Sequence, residues 1–182
     1  MTLSRLFKHA LIYLKKFGSG IEFGFTLLRT GVIRIIKMDR FQKIIIVYLV
    51  PSLSRTGPTR QLLNLIQNLD FDKFKPLLLS VSPLDKSGLL QDFNQLSIDV
   101  HSLNVSRSRT LFCGLPKLHA FLRNKDIDLI HSQGLRADLL SSFLPKSYVR
   151  IATRRNLPYL DYTFLHGPVV GRLLAQLHLI AL

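Results

Sequence analysis

The chain has 182 residues, with 25 Lys/Arg against 11 Asp/Glu and a formal net charge of +14 at pH 7. Hydrophobic residues make up 47% and charged residues 20%, which excludes a disordered polar tail and supports one domain with a substantial core. The single cysteine, Cys113, excludes an internal disulfide and a cysteine-cluster metal site. No apolar run reaches the roughly 18–20 residues of a membrane span.

Residues 1–43 hold nine Lys/Arg against Glu22 and Asp39, a net +7. The remaining residues hold sixteen Lys/Arg against nine Asp, also +7, over three times the length. The basic character is therefore concentrated at the N-terminus and favours an anionic partner. Over residues 1–17, Leu3, Leu6, Phe7, Ala10, Leu11 and Leu14 share one helical face, and Arg5, Lys8, His9, Lys15 and Lys16 lie mostly elsewhere. That is a basic amphipathic helix of the kind that lies flat on an anionic membrane. Gly18, Ser19 and Gly20 break it, and 21–38 is a second apolar-basic segment. The alternatives are a helix packed on the domain or a translated leader upstream of the true start. No cleaved signal peptide is expected, because no long apolar run leads to a small-residue site. Residues 1–40 are assigned as an N-terminal extension and 41–182 as the folded domain.

Ile44 to Val50 is almost continuously apolar and β-branched, the pattern of a strand buried on both faces. Pro51 ends it. Ser52, Ser54, Thr56 and Gly57 make a polar loop, and Pro58 suits a first helical position with Thr56 or Gly57 as cap. Leu62, Leu63, Leu65, Ile66 and Leu69 follow at helical spacing. Phe74 to Ser82 predicts a second strand, with Pro76 near its start. Ser87 is expected to cap a helix over 88–96. Ile98 to Leu103 is a short third strand, 104–110 a polar loop, and 111–124 a helix. Ile127 to Ser132 is a fourth strand, Gln133 and Gly134 turn the chain, and 135–144 is the next helix. Tyr148 to Thr153 is a fifth strand and 154–165 is expected to be loop. Over 169–182 a final amphipathic helix is expected to place Leu173, Leu174, Leu177 and Ile180 on one side. Strands alternating with helices predict an α/β fold, a parallel sheet with flanking helices in a flavodoxin-like or Rossmann-like order.

The glycine-rich dinucleotide fingerprint is absent, as are a phosphate-binding P-loop, HExxH and GxSxG. The polar residues cluster instead where strands end: Ser52, Ser54, Arg55, Thr56, Gly57 and Thr59 after the first, His131, Ser132, Gln133 and Gly134 at the fourth, and Thr153, Arg154, Arg155 and Asn156 after the fifth. In a parallel sheet those ends share one edge, so the loops can converge. Arg154 and Arg155 suit a phosphate or carboxylate through forked hydrogen bonds, or are solvated surface. His131 reads either as a site residue or as a satisfied core histidine. His101 and His119 read as structural. Gly57 reads either as a site residue or as a residue that simply serves its turn.

Together the stretches PSLSRTGPTRQLLNL, IDVHSLNV, DIDLIHSQGLRADLL and IATRRNLPYLDYTFLHGPVVGRLLAQLHLIAL resemble the N-terminal half of a bacterial family 4 glycosyltransferase, over about residues 43–182. The resemblance is to the branch that builds capsule, lipopolysaccharide or exopolysaccharide. It implies a GT-B arrangement of two Rossmann-like domains, in which the N-terminal one mostly holds the acceptor and the C-terminal one the nucleotide sugar. It implies transfer with retention, a nucleotide-sugar donor as substrate, no bound cofactor and no metal. By position, Thr56 and Gly57 fall in the loop approaching the donor phosphate, where many members have two glycines and an alanine-glutamate pair. His131 matches the first histidine of a His-x-His pattern, and Gln133 stands where the second contacts the transferred sugar. Glutamine can orient a hydroxyl but does not exchange protons near neutral pH. Arg154, Arg155 and Asn156 fall at the cleft edge.

The resemblance also implies a C-terminal donor domain that these 182 residues do not contain. The chain is therefore expected to be inactive alone, as a truncated product or as one subunit beside a separate donor-domain chain. The expected partners are a saccharide or lipid-linked acceptor and an anionic membrane surface met by residues 1–37, with cytoplasmic, peripheral inner-membrane localisation. The alternative is a non-catalytic membrane-associated module that kept the fold. A nucleic-acid partner is not expected, because the body lacks aromatic-basic interleaving and any recognition motif. Self-association is expected if an uncovered cleft face is exposed.

Overall fold

The structure, a computed structural model, describes residues 43–85, 87–154 and 157–182. The amphipathic segment read over residues 1–17, and the whole 1–40 extension with it, lies outside the described residues. Five strands form one sheet: β1 (Ile44–Val50), β2 (Phe74–Ser80), β3 (Asp99–Ser102), β4 (Leu129–Gln133) and β5 (Arg150–Thr153). Their order is β3-β2-β1-β4-β5 and every neighbouring pair is parallel. This is the doubly wound Rossmann-like arrangement, and it decides between the two orders that alternation alone allows. Along β1, Ile46, Tyr48 and Val50 face one side and Val47 and Leu49 the other, as the two-residue period of a strand requires.

Helices cover both faces. On one side α1 (Gly57–Gln67) and α2 (Leu90–Gln95) bring Leu62, Leu63, Ile66 and Phe93 onto Ile46, Tyr48, Val50 and Leu78. On the other, α3 (Leu115–Leu122) and α4 (Leu135–Ser142) bring Leu118, Leu122, Ala137 and Leu140 onto Val47, Leu49, Leu77, Leu79 and Ile130. Burying each such Leu, Ile or Phe side chain stabilises the fold by roughly 1.5–3 kcal/mol over leaving it exposed. α1 starts as its sequence predicts, with Thr56 in the cap position and a proline in the first turn. The Thr56 hydroxyl does not bond a backbone N–H, however, and pairs with the Thr59 hydroxyl at 2.9 Å.

Several expectations are corrected. Ser87 does not cap α2: Leu89 holds the cap position, and Ser87 donates through both its N–H and its hydroxyl to Asp85. The helix expected from Leu111 is preceded by a 3-10 turn (Arg107–Arg109) and opens as a π turn (Thr110–Gly114), with regular α-helix only from Leu115. The segment expected as loop to Leu165 contains α5 (Pro158–His166). Pro158, read as a loop residue, is the first residue of this helix, where a missing N–H costs nothing. Its apolar residues lack a helical stripe: Tyr159, Leu160, Phe164 and Leu165 are all exposed.

The last helix, α6 (Pro168–Ala181), follows α5 across the single residue Gly167. Its buried positions are Gly171, Ala175, His178 and Ala181, while Leu173, Leu177 and Ile180, expected on one side of an amphipathic helix, are exposed. The helix is thus rotated from the orientation its leucines suggest. The reason is close approach: small residues let the α5 backbone come against α6 at Gly171. Among the described residues no helix is long and apolar enough to cross a membrane.

Candidate functional site

The strand order reverses direction between β1 and β4, and there the crevice beyond their carboxyl ends opens. It holds a cleft of about 570 Å3. Val50, Pro51 and Ser52 come from the end of β1, Thr56 to Thr59 from the start of α1, Gln133 and Gly134 from the end of β4, and Thr153 and Arg154 from the end of β5. Asp161 and Tyr162 of α5 and His178 of α6 form the remaining wall. Gly134 has φ +88°, and a Cβ there would stand 3.1 Å from Pro51 Cγ. That glycine therefore lets the β4–α4 turn close against the β1 exit, and its position in the left-handed region explains the residue type.

Of the residues singled out from sequence, Thr56, Gly57, Gln133 and Arg154 meet in this cleft. Arg155 and Asn156 lie outside the described residues. His131 is not among the lining residues. Its Nε2 lies 2.5 Å from Thr153 Oγ1, and its ring packs on Tyr48 at a centroid distance of 5.3 Å. The parallel register sets Tyr48 beside His131, so both stand on the same face of the sheet. Burial pushes the Tyr48 phenol up to about 12. Arg55 turns away from the cleft, donating to Ser87 O and pairing with Asp92 at 3.5 Å. Gly57 does not require glycine: a Cβ there meets nothing within 4 Å.

Three features escaped the sequence reading. Arg136, in α4, ties the loops of the same edge together. It donates to Thr110 Oγ1 at 2.9 Å, Ser82 Oγ at 2.8 Å and Val105 O at 3.2 Å, with a longer reach to Pro51 O. Burial, and then the nearby Arg107 charge, lower its pKa from the ordinary arginine value. A guanidinium offers five donors in a fixed fork, so one side chain can serve several loop acceptors.

Asp138, also in α4, is fully buried and accepts from Ser132 Oγ at 2.6 Å through one carboxyl oxygen. Its other oxygen meets His178 Nε2 at 2.8 Å. His178, 2% exposed, meets the Tyr162 hydroxyl at 2.9 Å through Nδ1. Burial first, then the Asp138 and Asp161 charges, raise the Tyr162 pKa. The signal that could have revealed this line of hydrogen bonds was a polar residue, His178, at the spacing of the small residues Gly171 and Ala175. Without α5 in place it had no interpretation.

Among the described lining residues, Arg154 is the one arginine or lysine and Asp161 the one carboxylate. The cleft therefore offers hydrogen bonding of both senses with little net charge. The starts of α1 and α4 also face it, and helix starts favour anions. Pro58 has no N–H to contribute to that effect. Among the described residues no group of three His, Cys, Asp or Glu could hold a metal ion. The structure thus defines a Rossmann-like α/β domain with a cleft at its topological switch point. No protein-family model, curated protein or solved structure matches the chain.

Proposed function

We propose that this chain is the acceptor-side domain of a retaining, nucleotide-sugar-dependent glycosyltransferase of cell-surface polysaccharide, capsule or lipopolysaccharide synthesis. The observation that carries the reading is convergence: three strand-end segments that share the resemblance to family 4 enzymes supply Thr56–Gly57, Gln133–Gly134 and Thr153–Arg154 to one cleft. In this reading Gln133 orients a sugar hydroxyl, and Arg154, with Arg155 and Asn156, meets an anionic group at the rim. The donor nucleotide diphosphate would be held mainly by a second domain, since stabilising its charge needs more donors than this cleft offers. That domain would belong to a longer protein or a separate chain. Residues 1–37 would hold the complex at an anionic membrane surface, close to a lipid-linked acceptor.

A second reading, a membrane-associated binding module without catalysis, is favoured by one feature: the cleft has a single described carboxylate, Asp161, and no cysteine nucleophile. Ligand-observed NMR with a panel of methyl glycosides and with uridine and guanosine diphosphates tests the acceptor-side reading. Glycoside binding stronger than nucleotide binding is expected. Nucleotide binding without glycoside binding would reverse the assignment of sides. Donor-dependent sugar transfer by the 182-residue chain alone would refute both the missing-half reading and the non-catalytic module.

A further inference from the structure

The buried pair Asp138–His178 fixes the hydrogen-bonding sense of Tyr162, a residue of the cleft wall. Both Asp138 oxygens are engaged, one accepting from Ser132 Oγ and the other facing His178 Nε2. An ionised carboxylate only accepts, so Nε2 carries the proton. In the neutral imidazole Nδ1 is then an acceptor, and the atom facing it is the Tyr162 hydroxyl. With His178 neutral, the phenol proton is thereby committed to it. What the tyrosine oxygen has left for a ligand is its lone-pair capacity alone.

We propose that Tyr162 is a specificity-determining residue that recognises a hydroxyl-bearing ligand by accepting a hydrogen bond from it, with Asp138 and His178 as positioning residues that hold its sense. Three observations choose the ligand class. Tyr162 and His178 both line the cleft, so the bond between them belongs to its wall. Asp161, the residue before Tyr162, also lines the cleft and adds a second acceptor, unfavourable to a phosphate or carboxylate. On the sheet side Gln133 and Thr153, both polar and uncharged, line the same space. A neutral sugar donates several hydroxyl protons and satisfies such a wall. At this wall an anion offers none and meets Asp161 with the wrong sign, while Arg154 and the helix starts, which favour an anion, belong to the strand-end loops. The inference rests on the saccharide-binding reading above and adds which wall reads the sugar and by what polarity.

The test uses the full chain, the six histidines observed by long-range proton–nitrogen NMR, and the same panel of methyl glycosides with inorganic phosphate as the anionic probe. Tyr162→Phe removes the oxygen and keeps the ring, and the histidine signal it shifts is assigned to His178. The expected result is His178 protonated at Nε2 only. With it, the best-bound glycoside weakens about fivefold in Tyr162→Phe, the loss of one hydrogen bond, and phosphate binding does not change. His178 protonated at Nδ1, or glycoside binding equal in the variant and the parent, overturns the Tyr162 assignment and leaves the saccharide reading intact. No glycoside binding to either protein overturns both. A thermal midpoint for Tyr162→Phe close to the parent's separates lost recognition from lost folding, and Tyr159→Phe, outside the cleft, should bind as the parent does.

Discussion

Gly171 of α6 lies against the backbone of Thr163 in α5, so closely that a Cβ at position 171 would stand 2.4 Å from Thr163 N and Cα. Backbone cannot yield as a flexible side chain can. This contact sets the separation of the last two helices and, through it, the position of Tyr162 opposite His178.

Gly171→Ala should therefore destabilise the fold. Helix propensity alone would stabilise by up to about 1 kcal/mol. Overpacking costs about 1–3 kcal/mol, and the clash with backbone places this site at the upper end, so a net loss of about 2 kcal/mol is expected. Urea denaturation of the variant should show a lower midpoint. An unchanged or raised midpoint would mean that propensity wins and the helices are not tightly apposed.

Two glycines of the cleft should respond in opposite ways. Gly57 has open space for a Cβ and an ordinary backbone, so Gly57→Ala should be neutral or stabilise by up to about 1 kcal/mol. Gly134, at φ +88° with Pro51 3.1 Å from its Cβ position, should lose about 1–3 kcal/mol as alanine. Thermal midpoints of the two variants, measured side by side, check the contrast. Equal effects would contradict the assignment of Gly134 as the residue that the turn requires.

Tyr48 makes stability fall in alkali. Its folded pKa of about 12 exceeds the ordinary 10.0 because burial disfavours the phenolate. The native state then holds this proton more tightly than the unfolded chain. The full contribution is present below pH 10 and is lost as pH rises through the folded value, about 1.4 kcal/mol by pH 11 and about 3 kcal/mol above pH 12. Tyr162, also raised, acts in the same direction. Urea midpoints at pH 8 and 11 should fall less for Tyr48→Phe than for the parent. Parallel falls in the two proteins would exclude Tyr48 as the cause.

The outer face of α5 and α6 should promote self-association. Phe164 is 90% exposed, Ile180 81% and Val169 80%, and Leu160, Leu165, Leu173 and Leu177 extend the same apolar character. Exposed apolar surface of this extent favours association. Changing Phe164 and Ile180 to serine should leave stability within about 1 kcal/mol, since neither side chain is buried, while lowering the scattering mass at high concentration. If the variant scatters as the parent does, this face does not drive association.

Much of the fold was legible because buried parallel strands write themselves as short apolar runs. Ile44 to Val50 matches β1 at both ends, and Phe74 predicts the start of β2. Residues 154–165 were illegible for a definite reason. A helix announces itself by an apolar stripe, and α5 has none, because it is supported by close backbone contact with α6 and leaves its large side chains exposed. The same contact explains why the leucines of α6 misled: the buried face of that helix is chosen by small size.

The sequence by itself determined the alternation of strands and helices, the parallel sheet, and the gathering of Thr56, Gly57, Gln133 and Arg154 at one edge. Local pattern suffices for these, since strand period and loop position follow from neighbouring residues. Only the tertiary structure decided the strand order, the packing of His131 against Tyr48, and the line from Ser132 through Asp138 and His178 to Tyr162. Those features join residues far apart in chain order, as Asp138 and His178 are, by hydrogen bonds and ring contacts. Such contacts exist only once the helices have packed, and no periodicity encodes them.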